Sequence, residues 1–440
     1  MTLNPSTKEI SHLILNAFLI ATFFIYYQTK LIPGTLHAWL LVFGLIFTLP
    51  TVLRNFNNSQ TRLPVDYALI GFLGVLYLIG YLTNFANATL SQLQAYFLAL
   101  GCYVFVRENT SSLSMNFLSG LMTYFLLCNG VLVVLQFMTG KFYIANYLAA
   151  GDPPFTIPSG VSDGPTKNGM LIAFALSYML AKLLWTQKRA SYLELAVFVL
   201  GIVSLILSSS RAGVAAFVVV ALIGSTLAAI LRTTHKVNRR NVGFIGAILL
   251  LPIGAIYGSG IGLEAFVERV TPYADKFALD VMFYKLLGTT EEDSIVARYE
   301  TARTAVTLIT ESPLQIFSVG FGLGSFEVIN QGLNVHNSYL EVLLETGLYG
   351  VLVFAILIVT IVLKALSRRS AVEVFPVLFA LLSVMVFMAF HDVLRGRVFW
   401  IPLAILGSFA YVQSSSRRID DASAQAARCQ PSGGGSLFIG

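Results

Sequence analysis

The 440 residues are 56% apolar and only 11% charged, with a mean hydropathy of +0.76. A soluble domain carries about 25% charged residues, so a water-soluble enzyme is excluded. The apolar runs are continuous rather than alternating, which excludes an outer-membrane barrel too. What remains is an all-α, polytopic membrane protein. The 28 basic residues exceed the 22 acidic ones, for a formal charge of +6, and their positions carry more information than their sum.

Twelve apolar runs follow one another, at roughly 11–28, 35–53, 66–86, 91–106, 115–138, 168–186, 192–208, 212–231, 242–260, 346–366, 371–390 and 398–414. A membrane-spanning helix needs about 20 such residues. The expected organisation is therefore nine spans over 1–260, a loop domain over 261–337, three spans over 338–418 and a polar tail over 419–440. Within that tail, Ser432–Ser436 reads as a linker and carries no functional argument. Arg211 splits the stretch 192–231 into two helices. The first run lacks a small-residue cleavage site and is followed by further spans, so it reads as a retained helix rather than a signal peptide.

Charge placement tests this layout. With the N-terminus in the cytoplasm, 17 of the 28 basic residues fall in cytoplasmic segments. Six fall in short outer loops (Lys30, Lys141, Lys167, Arg211, Arg395 and Arg397), and five in the long outer loop. Such a bias is what positive-inside topology produces. It puts both termini in the cytoplasm and the long loop on the outer face of the membrane. That loop also holds ten of the 22 acidic residues. Within it, 296–310 is patterned as an amphipathic helix, and its apolar residues from Phe266 to Tyr284 suffice for a small cap. Residues 139–167, rich in Pro and Gly, read as an irregular loop. The three cysteines are too few and too scattered for a disulfide framework.

Three short segments carry chemistry. Ser208-Ser209-Ser210-Arg211-Ala212-Gly213 lies where one span ends and the next begins. An arginine there marks a functional or ion-paired position, against the plainer reading that it snorkels to the headgroups. Ala297-Arg298-Tyr299-Glu300-Thr301-Ala302-Arg303 follows in the long loop, where a solvated helical face is the plainer reading. The third, Asn334-Val335-His336-Asn337-Ser338-Tyr339-Leu340-Glu341, runs into Glu345-Thr346-Gly347-Leu348-Tyr349-Gly350. Of the five histidines, only His336 sits in a polar cluster at the exit of the large loop. Its ordinary pKa near ~6.5 suits general-base work. No D-x-D pair and no metal-ligand spacing is present in the sequence, so no cofactor or metal is expected. The run Gly320-Phe321-Gly322-Leu323-Gly324-Ser325 fits neither nucleotide-binding fingerprint. It reads as a flexible approach to the site.

Taken in order, these pieces resemble the bacterial O-antigen ligase and polymerase superfamily of membrane glycosyltransferases. The resemblance covers about 205–350. It rests on Ser-Ser-Ser-Arg211-Ala-Gly, Arg298-Tyr-Glu, Gly320-Phe-Gly-Leu-Gly-Ser-Phe326, His336-Asn-Ser-Tyr-Leu-Glu and Glu345-Thr-Gly-Leu-Tyr-Gly350. Ala302 stands where the family often has Trp, and Lys167-Asn168 where it often has Pro-Asn. The resemblance implies a C-type glycosyltransferase-like fold. It implies inverting, metal-independent transfer of a glycan from undecaprenyl diphosphate to a sugar of lipid A–core, on the outer face of the inner membrane. It makes His336 the base and gives Arg211 and Arg298 to the diphosphate, with Arg303, Lys167 and Asn337 as further substrate contacts. O-antigen polymerase, with a second lipid-linked glycan as acceptor, is the nearest alternative. A protein-glycosylating relative comes next. A polyprenyl-glycan flippase is the rival of another class, and would place polar residues at mid-membrane instead of at one face.

Overall fold

A computed structural model describes residues 5–24, 36–57, 64–84, 89–110, 113–139, 158–162, 164–185, 190–208, 210–230, 293–329 and 336–411. Eleven of the twelve apolar runs coincide with a helix, and the run 242–260 lies outside the described residues. The helices are α1 (Pro5–Phe24), α2 (Leu36–Asn57), α3 (Val65–Thr83), α4 (Leu90–Asn109), α5 (Met115–Thr139), α6 (Pro165–Trp185), α7 (Tyr192–Leu207) and α8 (Arg211–Ile230). After the undescribed stretch come α9 (Asp293–Glu311), α10 (Pro313–Phe317), α11 (Ser325–Ile329), α12 (Ser338–Arg368), α13 (Ala371–Met388) and α14 (Arg397–Tyr411).

Local chemistry accounts for several boundaries. Thr89 and Gln92 form a reciprocal capping box at the start of α4, and Ser191 and Glu194 do the same for α7. Each box satisfies backbone N–H groups that the first helical turn leaves without partners. Pro165 opens α6, where its missing N–H costs nothing. The break at Arg211 is real: α7 ends at Leu207, and the Ser210 hydroxyl accepts from Gly213 N to start α8.

Among the described residues, five helices are long and apolar enough to cross a membrane: Val65–Thr83, Met115–Thr139, Pro165–Trp185, Arg211–Ala228 and Ser338–Arg368. α6 is the hub. It is apolar all round and buried along nearly its whole length, packed by α5, α7, α8 and α13, as expected of a central helix. Trp400, Tyr103, Phe105 and Phe18 fill a second part of the same core between α14, α4 and α1. The outer helices leave Leu82, Leu222 and Leu363 each more than 60% exposed. Such stripes are unfavourable in water and match a lipid surround.

The bundle has two polar poles. At one, Arg107 of α4 meets Asp66 of α3 at 2.5 Å and Glu108 at 2.6 Å. Its guanidinium stacks over the Tyr67 ring at 4.2 Å, and Tyr103 donates to Asp66 at 2.7 Å. Lys364 and Tyr411 close the same end. The other pole, formed by the starts of α4, α6, α8 and α12, holds the sequence-derived candidates.

Candidate functional site

Helix directions fix which candidates share an end. Trp185, at the end of α6, packs on Phe375 and Phe379 near the start of α13, with ring centroids 4.5 and 5.2 Å apart. Gly224, late in α8, faces the same Phe379. α13 therefore runs antiparallel to both, and its last turn lies at the end where α6 and α8 begin. That last turn adjoins the start of α12: Asn337 Nδ2 donates to Ala389 O at 3.0 Å and Tyr339 Oη to Met385 O at 2.7 Å. Arg211, Lys167 and His336 accordingly occupy one end of the bundle.

Lys167 does not lie in a loop. It is exposed in the first turn of α6, beside the start of α8. A Cβ on Gly169 would lie 2.1 Å from Ser210 Cβ, and one on Gly213 would lie 2.7 Å from Gly169 O. Two glycines thus let the N-terminal turns of α6 and α8 touch, with Lys167 and half-buried Arg211 on them. Helix N-termini carry partial positive charge and free N–H groups. Two together, each with a basic side chain, make an anion-favouring surface. Beneath it, Gln136 of α5 pins the turn 158–162. Its Oε1 accepts from Ser159 N and Gly160 N at 3.1 and 2.8 Å, and its Nε2 donates to Gly160 O at 3.1 Å.

His336 is exposed, immediately before α12, in the left-handed region at φ 49°, a conformation that non-glycine residues rarely adopt. Its neighbours over-determine it. Asn337 Oδ1 accepts from Tyr339 N and Leu340 N at 3.0 and 3.1 Å, capping α12. Ser338 Oγ donates to His391 O at 2.8 Å and accepts from Val393 N at 2.9 Å. The His336 and His391 rings are 6.3 Å apart and perpendicular, and His391 stacks on Phe387 at 4.8 Å. Asn337, expected as a substrate contact, spends its amide on this scaffold.

The expected amphipathic helix is α9. Its Thr301 and Ala305 are buried, and Arg303 is exposed. Arg298 falls on α9, but its side chain lies outside the described residues, as do residues 231–292 that would form the remainder of a cap.

The glycine run is not a flexible approach. Gly320, Gly322 and Gly324 have φ of 74°, 92° and 68°. They wedge the chain between α3 and a break in α12 at Gly347, itself at φ 66°. Phe321 N donates to Leu344 O at 2.7 Å, Leu323 N to Gly80 O at 3.0 Å and Gly324 N to Glu345 Oε1 at 2.9 Å. A Cβ on Gly347 would sit 2.3 Å from Ser318 O. Only glycine tolerates both this backbone and this proximity.

Reading by segments missed Arg395, in the short connection between α13 and α14. It contacts Glu341 at 2.6 Å, Glu327 at 2.9 Å, Glu345 at 3.2 Å and Asp392 at 3.7 Å. Tyr96 Oη lies 2.6 Å from Glu345 Oε2 and 3.0 Å from Glu341 Oε1, and its ring stacks on Tyr77 at 4.0 Å. Gln92 donates to Glu327 at 2.8 Å. Burial by itself would favour the neutral guanidine. Tyr96, Glu341, Glu345 and Asp392 outweigh it and hold Arg395 charged, above even the usual arginine range. The signal was available, because Glu341 and Glu345 stand four residues apart in an apolar helix and require a countercharge. Among the described residues, no group of three or more His, Cys, Asp or Glu side chains is placed to hold a metal ion.

Lipid-facing apolar helices, with Lys167, Arg211 and His336 at one of two polar ends, define a helical membrane protein with a candidate polar site at that end of its bundle. Residues 174–355 match the family model described as O-antigen ligase. That segment, less than half of the chain, is similar to the O-antigen ligase family. The matched segment contains Arg211, Arg298, Arg303, His336, Asn337, Glu341 and Glu345, and leaves Lys167 and Arg395 outside. No curated protein matches the chain.

Proposed function

We propose that this protein is an O-antigen ligase. It transfers a glycan from undecaprenyl diphosphate to a sugar hydroxyl of lipid A–core at the periplasmic face of the bacterial inner membrane, with inversion and without a metal. The observation that carries the reading is the meeting of the α6 and α8 N-termini at Gly169 and Gly213. These turns present Lys167 and Arg211 at the bundle end that also bears His336.

In this reading, the acceptor hydroxyl oxygen attacks the anomeric carbon, and the bond from that carbon to the phosphate oxygen breaks. The lipid diphosphate leaves with the electron pair, and the hydroxyl proton passes to His336. Negative charge develops on the departing diphosphate. Arg211 and Arg298 meet it through forked hydrogen bonds, and Lys167 and two helix N-termini add fixed positive charge. Asn337 acts through the backbone, holding His336 at the start of α12. Arg303, on the exposed face of α9, adds positive field near the lipid headgroups. A site at one face suits a substrate whose tail stays in the bilayer.

The test is product formation by purified protein given both lipid-linked substrates in EDTA. Joined product is expected from the parent chain. His336→Ala should abolish it while the protein stays folded, and Arg211→Lys should lower the rate on the order of 10²-fold, the scale of losing one directed donor. Full activity in His336→Ala, or complete dependence on added divalent metal, refutes the mechanism. A lengthened donor formed without lipid A–core would instead identify a polymerase.

A further inference from the structure

α10 and the glycine wedge occupy a depth that a soluble loop would not reach. α12 has 31 residues, more than the ~20 that cross a hydrocarbon core. Its far end is marked by Lys364, Arg368 and Arg369. Counting about 20 residues back from Lys364 puts the opposite hydrocarbon boundary near Leu344. That is where α10 docks: Ile316 is buried against Leu344, and the Ser318 and Ile316 carbonyls approach Gly347. α3 supplies an independent measure. Gly80, which accepts from Leu323 N, lies 14 residues beyond the buried Asp66. This is about 21 Å along a helix, inside a core of roughly 30 Å.

Both measures put residues 313–324 at or just below one membrane boundary. Irregular backbone survives at that depth only where protein satisfies its polar groups. The wedge meets that condition. Gly320, Phe321, Leu323 and Gly324 donate to Gln315 O, Leu344 O, Gly80 O and Glu345 Oε1, and Asn84 Nδ2 donates to Leu323 O at 2.9 Å. α10 turns Ile316 inward, while Leu314 and Phe317 are 87% and 65% exposed. On α12, the exposed stripe Tyr349, Leu352, Ile356, Val359 and Leu363 continues away from this level. Tyr349 stands at the boundary, where amphipathic aromatic rings concentrate.

We infer that residues 313–324 form a re-entrant element that dips into one leaflet, with Leu314 and Phe317 seated among lipid acyl chains as a continuation of the lipid-facing stripe of α12. The partner is the bilayer itself, and the role is anchorage of the wedge that closes on α3 and α12 beside the site.

Nitroxide labels test this in phosphatidylethanolamine/phosphatidylglycerol vesicles, on the full chain with Cys102, Cys128 and Cys429 replaced by Ala. Labels at Leu314→Cys and Phe317→Cys should collide with oxygen several-fold more than with a water-soluble nickel chelate, and a label at Arg303→Cys should show the reverse. Equal nickel access at all three positions overturns the inference. If the cysteine-free chain does not fold, Leu314→Trp in the parent chain gives a second measurement. Its added emission should be quenched more by lipids brominated near the top of the acyl chain than by lipids brominated at the tail end. Added emission that neither lipid quenches overturns the inference.

Discussion

Arg395→Met isolates the value of the buried ion-pair cluster that sequence reading missed. The guanidinium satisfies three glutamates, at 2.6, 2.9 and 3.2 Å, and two of these are almost wholly buried: Glu341 is 7% exposed and Glu345 2%. Methionine fills much of the volume but leaves those carboxylates without their countercharge. Removing one partner of a buried ion pair costs about 3–5 kcal/mol, chiefly through the charge left behind. Against a total stability of about 5–15 kcal/mol for a domain, that is a large fraction. The apparent unfolding midpoint in detergent should fall by on the order of 5 °C or more. Arg395→Lys keeps the charge but loses the fork and should fall between the two. The decisive variant is Arg395→Met with Glu341→Gln and Glu345→Gln, which removes the stranded charge and should recover much of the loss, a non-additivity expected of contacting residues. Arg395→Met as stable as the parent chain, or a triple variant less stable than Arg395→Met alone, would refute the reasoning.

Four further substitutions probe other parts of the structure. Gly347→Ala puts a methyl group 2.3 Å from Ser318 O on a left-handed backbone, so the yield of folded, monodisperse protein should drop sharply in size-exclusion chromatography. Gly164→Ala, with nothing within 4 Å of the new carbon, should leave that yield unchanged. Asp66→Asn takes the buried carboxylate from Arg107, which keeps only Glu108, and should destabilise by about 3 kcal/mol, read as a lower unfolding midpoint. Asn337→Ala removes the α12 cap, for about 1 kcal/mol. On the proposed function, its product formation should fall by more than that stability loss explains, because the same side chain fixes the backbone at His336.

How much was legible beforehand follows from which interactions are local. Hydrophobic run length is a property of consecutive residues, so eleven of the twelve runs meet helices, and the split at Arg211 falls where the serines and arginine break the pattern. The amphipathic helix at 296–310 and the polar entry to α12 were legible for the same reason. The glycine run misled because glycine spacing indicates conformational freedom and is silent on what packs around it. Gly320 to Gly324 are held by Gly80, Asn84, Leu344 and Glu345, and no short-range pattern reports these partners.

By itself, then, the sequence determined that this is a helical membrane protein, and which short polar segments interrupt its apolar runs. Only the tertiary structure decided that the starts of α6 and α8 touch through Gly169 and Gly213, and that Arg395 closes over Glu341 and Glu345. The reason is physical. Partitioning into lipid sums over neighbouring side chains and survives almost any packing. A forked ion pair or a glycine-to-glycine contact exists only when helices distant in sequence are brought to within a few ångströms of each other.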